Sequence, residues 1–114
     1  MLGINPPSLA AHRYFRSIDV DETREKVSKV YCSHRLDPIG GTGRLDAWQN
    51  SVALDRISVG MMSYGADVEI DPGCLEDFYL LMLPIAGSAT ITSEGNSFRA
   101  DRATATLLNP TDPV

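Results

Sequence analysis

A change of hydrophobic period near Arg44 constrains this chain more than any other feature. Before it, apolar residues recur at helical steps; after it, they alternate singly with polar ones. Ile57, Val59 and Met61 alternate with Arg56, Ser58 and Gly60, as a strand with one buried face requires. Val68 and Ile70 alternate after Gly65, and Asp71-Pro72-Gly73 turns the chain. Phe78 to Leu83 is apolar on both faces and reads as a central strand covered on both sides. Ala89 and Ile91, then Phe98 and Ala100, flank a turn at Glu94-Gly95-Asn96. Whether the two-residue loop is Glu94-Gly95 or Gly95-Asn96, the hairpin places all four on one face. Ala103, Ala105 and Leu107 form a last alternating run before Asn109-Pro110. Short strands spaced by about 8–12 residues imply a sandwich or barrel rather than alternating strands and helices.

The helical part is a single element. Asp19 stands as N-cap, with Glu22 three residues on, and Val20, Val27, Val30 and Tyr31 form one apolar stripe. Glu22/Lys26 and Glu25/Lys29 are i,i+4 pairs in the favourable order. The pattern predicts a helix over 19–36 that packs on the β domain, ended by Asp37-Pro38 and Gly40-Gly-Thr-Gly43. Residues 1–18, with Pro6-Pro7, read as an irregular N-terminal arm, and 44–114 as the β domain.

Composition excludes several functions. With 114 residues, 43% of them hydrophobic, the chain fits one domain with a modest core. Ten Lys+Arg against 15 Asp+Glu give a net charge of −5, against a phosphate-gripping surface in this segment. The longest apolar stretch, Phe78–Gly87, is about half of a membrane span and is broken by Pro84, so no membrane partner is expected. No signal peptide is visible, and Cys32 and Cys74 read as free thiols of a reducing cytoplasm.

Catalytic signatures are likewise lacking. A cupin-type metal site needs two or three His and a carboxylate facing inward. This chain has only His12 and His34, both ahead of the strands, so no metal and no cofactor are expected. Cys32 and His34 are two apart, which on a helix points them away from each other. Gly40-Gly-Thr-Gly43-Arg44 lacks the ending of a phosphate loop and precedes a strand. Glu69, Asp71, Glu76 and Asp77 surround a turn, where acids serve the backbone. What remains is a small β domain with amphipathic aromatics (Trp48, Tyr64, Tyr79) and adaptable methionines (Met61, Met62, Met82) that can wall a ligand.

An ordered series of residues then matters more than any single motif. Phe15-x-Ser17-x-Asp19 leads into Glu22-x-Arg24, followed by His34-Arg35-Leu36, Leu54-x-x-Ile57-x-Val59 and Tyr64-Gly65-Ala66-x-Val68. Tyr79-Leu-Leu-Met-Leu-Pro84 with Gly87, and Leu107-x-x-Pro110, complete it. Over roughly residues 14–114 the series resembles the N-terminal effector-binding domain of AraC/XylS-type transcriptional regulators, especially the branch governing catabolism of aromatic acids and similar carbon sources. The resemblance implies a mainly β, cupin-like jelly-roll barrel with one N-terminal α-helix, present in part. It also implies a small-molecule effector such as an aromatic acid, a cytoplasmic homodimer in the full-length protein, and no enzymatic activity. DNA contact would belong to a helix-turn-helix half absent from this chain, in keeping with its acidic charge. One departure is Ala100-Asp-Arg-Ala103, where related sequences often carry a glycine.

Strand parity sets Ile57, Val59 and Met61 on one face and Arg56, Ser58, Met62 and Tyr64 on the other, and leaves open which face is inside; the first is favoured here. Ile57, Val59 and Met61 share a face, and with Trp48, Tyr79 and Leu81 they are the candidate pocket wall; Arg44 is the candidate anion partner. Two other classes stay open on the same residues: a small cupin-fold metal-dependent enzyme, and a dimerisation module without ligand.

Overall fold

A computed structural model of the chain describes residues 10–40 and 44–114. These residues fold mainly as β-structure with one α-helix, in two compact units, 10–30 with 35–40 and 44–70, and 31–34 with 71–114. The strands are arranged in one three-stranded and three two-stranded ladders and do not close into a barrel.

In the first unit, a 3-10 turn (Ala10–His12) leads into β1 (Arg13–Ser17), and α1 runs from Val20 to Val30. The cap is as the sequence implies: the Glu22 N–H donates to Asp19 Oδ2 at 2.8 Å, and the Asp19 N–H to Ser17 Oγ at 3.0 Å. Of the two i,i+4 pairs, Glu25–Lys29 forms at 3.7 Å. Lys26 instead lies over the Tyr14 ring, 5.8 Å from its centre. The helix ends at Val30, where its apolar stripe gives way to Cys32-Ser33-His34, and Arg35–Pro38 form strand β2, with Leu36 buried. Arg13–Ser17 is likewise a strand where the sequence suggests an irregular arm.

β1 pairs antiparallel with β3 (Ala47–Ala53), which pairs antiparallel with β4 (Ser58–Ser63). The β3–β4 hairpin is closed by the Leu54 N–H donating to the Ile57 carbonyl at 2.7 Å. β2 pairs with β5 (Val68–Asp71), and the Ile39 N–H extends that ladder to the Asp67 carbonyl at 2.9 Å. Along β1 and β3, Phe15, Ser17, Ala47 and Gln49 are buried on the face that packs against α1, whose own buried residues are Thr23 and Val27.

The second unit contains β6 (Leu80–Met82) paired with β9 (Thr106–Leu108), and β7 (Ala89–Ser93) paired with β8 (Asn96–Ala100). The β7–β8 register settles the turn. Ser93 opposes Asn96, so Glu94 and Gly95 are the loop, with φ of 50° and 78° as a type I′ turn requires. Ala89 faces Ala100 and Ile91 faces Phe98, as the alternation implies. β6 differs from expectation, because in the Phe78–Leu83 run Tyr79, Leu81 and Leu83 are exposed, while Phe78, Leu80 and Met82 are part-buried. A run that is apolar on both faces reads as doubly covered, yet in this unit β6 pairs with β9 alone, with Leu81 opposite exposed Leu107. The turn after β8 needs no glycine. The Asp101 side chain accepts from the Ala103 N–H at 2.9 Å, its carbonyl from the Thr104 N–H at 3.0 Å, and no residue there has positive φ.

Candidate functional site

The two faces of the β1–β3–β4 sheet have different fates. Helix α1 covers the face of Phe15 and Gln49. On the other, the ladder places Trp48 opposite Ser63, Asn50 opposite Met61 and Val52 opposite Val59, with Leu54 and Ile57 continuing the same parity through the hairpin. Four expected wall residues, Trp48, Ile57, Val59 and Met61, therefore share this open face. Trp48 and Met61 are part-buried, while Ile57 and Val59 are exposed.

Arg13 and Arg16 also stand on this face, although their spacing of three would divide them between the faces of a regular strand. A β-bulge reunites them. Arg13 opposes Asn50 while Phe15 opposes Gln49, so Tyr14 is an extra residue without a partner. Tyr14 is held by its hydroxyl, which donates to the Lys26 carbonyl of α1 at 2.9 Å, and its ring meets Phe15 edge-on at 5.6 Å. The two arginines, Asp46, Trp48 and buried Asn50 line a recess of about 170 Å³. It lies at one end of the row Val52, Leu54, Ile57 and Val59.

Asp46 grips Arg16 at two points, Nε to Oδ1 at 3.1 Å and Nη2 to Oδ2 at 3.2 Å. That hydrogen bond first, and the carboxylate charge second, raise the already high pKa of the guanidinium. Asp46 is itself fixed from behind. Its N–H donates to the Tyr64 carbonyl at 3.1 Å, and Gly65, with φ of 67°, lies close against its backbone. A Cβ on Gly65 would stand 2.5 Å from the Asp46 carbonyl oxygen, which is why this turn takes glycine.

The other expected site residues lie elsewhere. Arg44 is exposed ahead of β3 and does not line the recess; Tyr79 and Leu81 are exposed in the second unit. Arg13, Arg16 and Asp46 were not legible as site residues, because the bulge hides β1 from a period-of-two search. The interleaved Arg-Tyr-Phe-Arg was the available signal.

Other chemistry finds little footing. Among the described residues no group of three or more His, Cys, Asp or Glu is placed to hold a metal, and no helix is long and apolar enough to cross a membrane. Cys32 and Cys74 are free and part-buried. Burial first, and the charge of Glu76 second, raise the Cys32 pKa, opposite to the shift a nucleophilic thiol needs. The His34 ring meets the Cys32 carbonyl, 3.0 Å from Nδ1.

Comparison with curated proteins and with solved structures gave no significant match. The family model of the AraC-binding-like domain matches residues 23–114, which takes in α1 from Thr23 onward and every strand after it, while β1 with Arg13 and Arg16 lies ahead of the match. By that match, in line with its cupin-like mainly β architecture, the chain belongs to the AraC-binding-like domain family.

Proposed function

We propose that the chain is the effector-sensing domain of an AraC-type transcriptional regulator, and that the effector lies along the open face of the β1–β3–β4 sheet. The single observation that carries this is the polarity of that face. Two guanidiniums and an indole stand at one end, and a row of aliphatic side chains leads away from it, Val52 part-buried and Leu54, Ile57 and Val59 exposed. A flat apolar body with an anionic group fits that order, its charge toward Arg13 and Arg16 and its ring toward Trp48 and Val59. An aromatic carboxylate has this shape. Arg44, in the same unit, is kept as an outer contributor to the wall, whereas Tyr79 and Leu81 belong to the second unit and are left out of it.

Control of DNA binding by a helix-turn-helix region, homodimerisation and a cytoplasmic setting belong to the same proposal. The effector acts by population shift, binding one arrangement of the regulator better than another, since equal affinity for both moves nothing. A thermal-shift screen against aromatic carboxylates, simple sugars and amines tests it. A saturable rise with one class is expected, growing with ligand as RT ln(1 + [L]/Kd), and weakened by Trp48→Ala and by Val59→Asp. No response to any class, or a response that both substitutions leave intact, refutes the placement on this face.

A further inference from the structure

The charge of the recess does not follow from its arginines alone. Arg16 is held at two points by a carboxylate of the same chain, and Arg13 has no acidic partner among the described residues. The Arg16–Asp46 pair is exposed, and exposed ion pairs usually wander among geometries. Here the wandering is restricted. The Asp46 backbone is tied to Tyr64 and abuts Gly65, while Arg16 sits in the ladder opposite Trp48. Asp46 therefore occupies the two-point geometry in which a guanidinium takes a carboxylate.

We propose that Asp46 is an internal competitor that sets the charge selectivity of the site: with Arg13, Arg16 and Asp46 summing to +1, the recess selects a monoanion over a dianion. The proposal rests on the effector site proposed above and adds what that site discriminates. A ligand carboxylate docks on Arg13 and on the three Arg16 N–H groups that Asp46 leaves free, since a guanidinium offers five. A second ligand carboxylate has no cation left to meet and stands near the Asp46 charge. Neutralising Asp46 leaves +2 and removes that repulsion.

The test compares the chain with Asp46→Asn, which keeps the shape and the backbone bond to Tyr64, and with Asp46→Ser as a second variant. Benzoate and phthalate are the monoanionic and dianionic probes, titrated by calorimetry at low salt, with circular dichroism confirming that each variant is folded. Removing one charge at contact range from a water-screened site changes binding about fivefold per ligand charge. Benzoate should tighten about fivefold and phthalate about 25-fold, so their affinity ratio moves about fivefold toward phthalate. An unchanged ratio in both variants, while the unsubstituted chain binds benzoate, overturns the role of Asp46 and leaves the effector site standing. Saturable binding of neither probe to any of the three proteins overturns the anionic site and this inference together.

Discussion

Gly65 is the position at which a single methyl group should cost most, and the cost can be worked from the geometry. With φ of 67°, an L-residue there carries the left-handed penalty of about 1–2 kcal/mol. The added Cβ would also stand 2.5 Å from the Asp46 oxygen and 3.0 Å from its carbon and Cβ, so backbone must move. Overpacking against atoms that cannot swing aside adds about 1–3 kcal/mol. The unfolded chain gives back about 0.4–1 kcal/mol in lost freedom. Gly65→Ala should therefore destabilise the first unit by about 2.5 kcal/mol, and for a domain of this size lower Tm by about 10 °C. Gly40 in the same unit is the matched control, because its φ is 70° and an added Cβ meets nothing within 4 Å among the described residues. Gly40→Ala should cost only the conformational part, about 0.5–1 kcal/mol. Urea unfolding followed by the fluorescence of Trp48, the single tryptophan, reads the first unit directly. If the two substitutions cost the same within about 0.5 kcal/mol, the Asp46 contact is not what demands glycine, and the reasoning fails.

Three further outcomes are expected. Glu94→Asn should stabilise the second unit by about 0.5–1 kcal/mol in thermal unfolding, because asparagine tolerates the left-handed first position of a type I′ turn far better than glutamate. Thr23 is fully buried with no hydrogen-bond partner for its hydroxyl among the described residues, so Thr23→Val, which keeps the shape, should leave stability unchanged or raise it by up to about 1 kcal/mol in thermal unfolding; a loss of stability would reveal a hidden partner. Burial raises the Tyr31 pKa, so above pH 10 the unfolded chain gives up this proton more readily than the folded one. Stability should fall as pH rises from about 10 toward the folded value, and Tyr31→Phe should remove that component of an alkaline titration.

The parts of the fold that were legible in the sequence are those whose signal is local. Asp19 caps α1 because its side chain needs only the N–H three residues on, and Glu94-Gly95 closes a hairpin because two positive φ values are a demand on two neighbours. The shared face of Ile57, Val59 and Met61 likewise follows from strand alternation. The recess was not legible because its ingredients are non-local. The Tyr14 bulge shifts parity by one residue, so Arg13 and Arg16, which a regular strand would separate, meet across from Asn50 and Trp48. Asp46 joins them only through a contact 30 residues away in sequence. The exposure of Leu81 failed to show for a related reason: an apolar run states what a strand can bury, and its neighbours decide what it does bury.

The Tyr14 bulge has a consequence for energetic linkage. The residue that turns Arg13 toward the recess is latched by its hydroxyl to the carbonyl of Lys26, in the second half of α1. If fraying of that half of the helix releases the latch, Tyr14 is free to enter the ladder, and strand parity would then turn Arg13 toward the covered face. Whatever anion holds Arg13 in place must then, by reciprocity, tighten the end of α1 on the opposite side of the sheet. The amide protons of Val27 to Val30 thus become distant reporters of occupancy: their exchange should slow when the recess fills, and should lose that response in Tyr14→Phe.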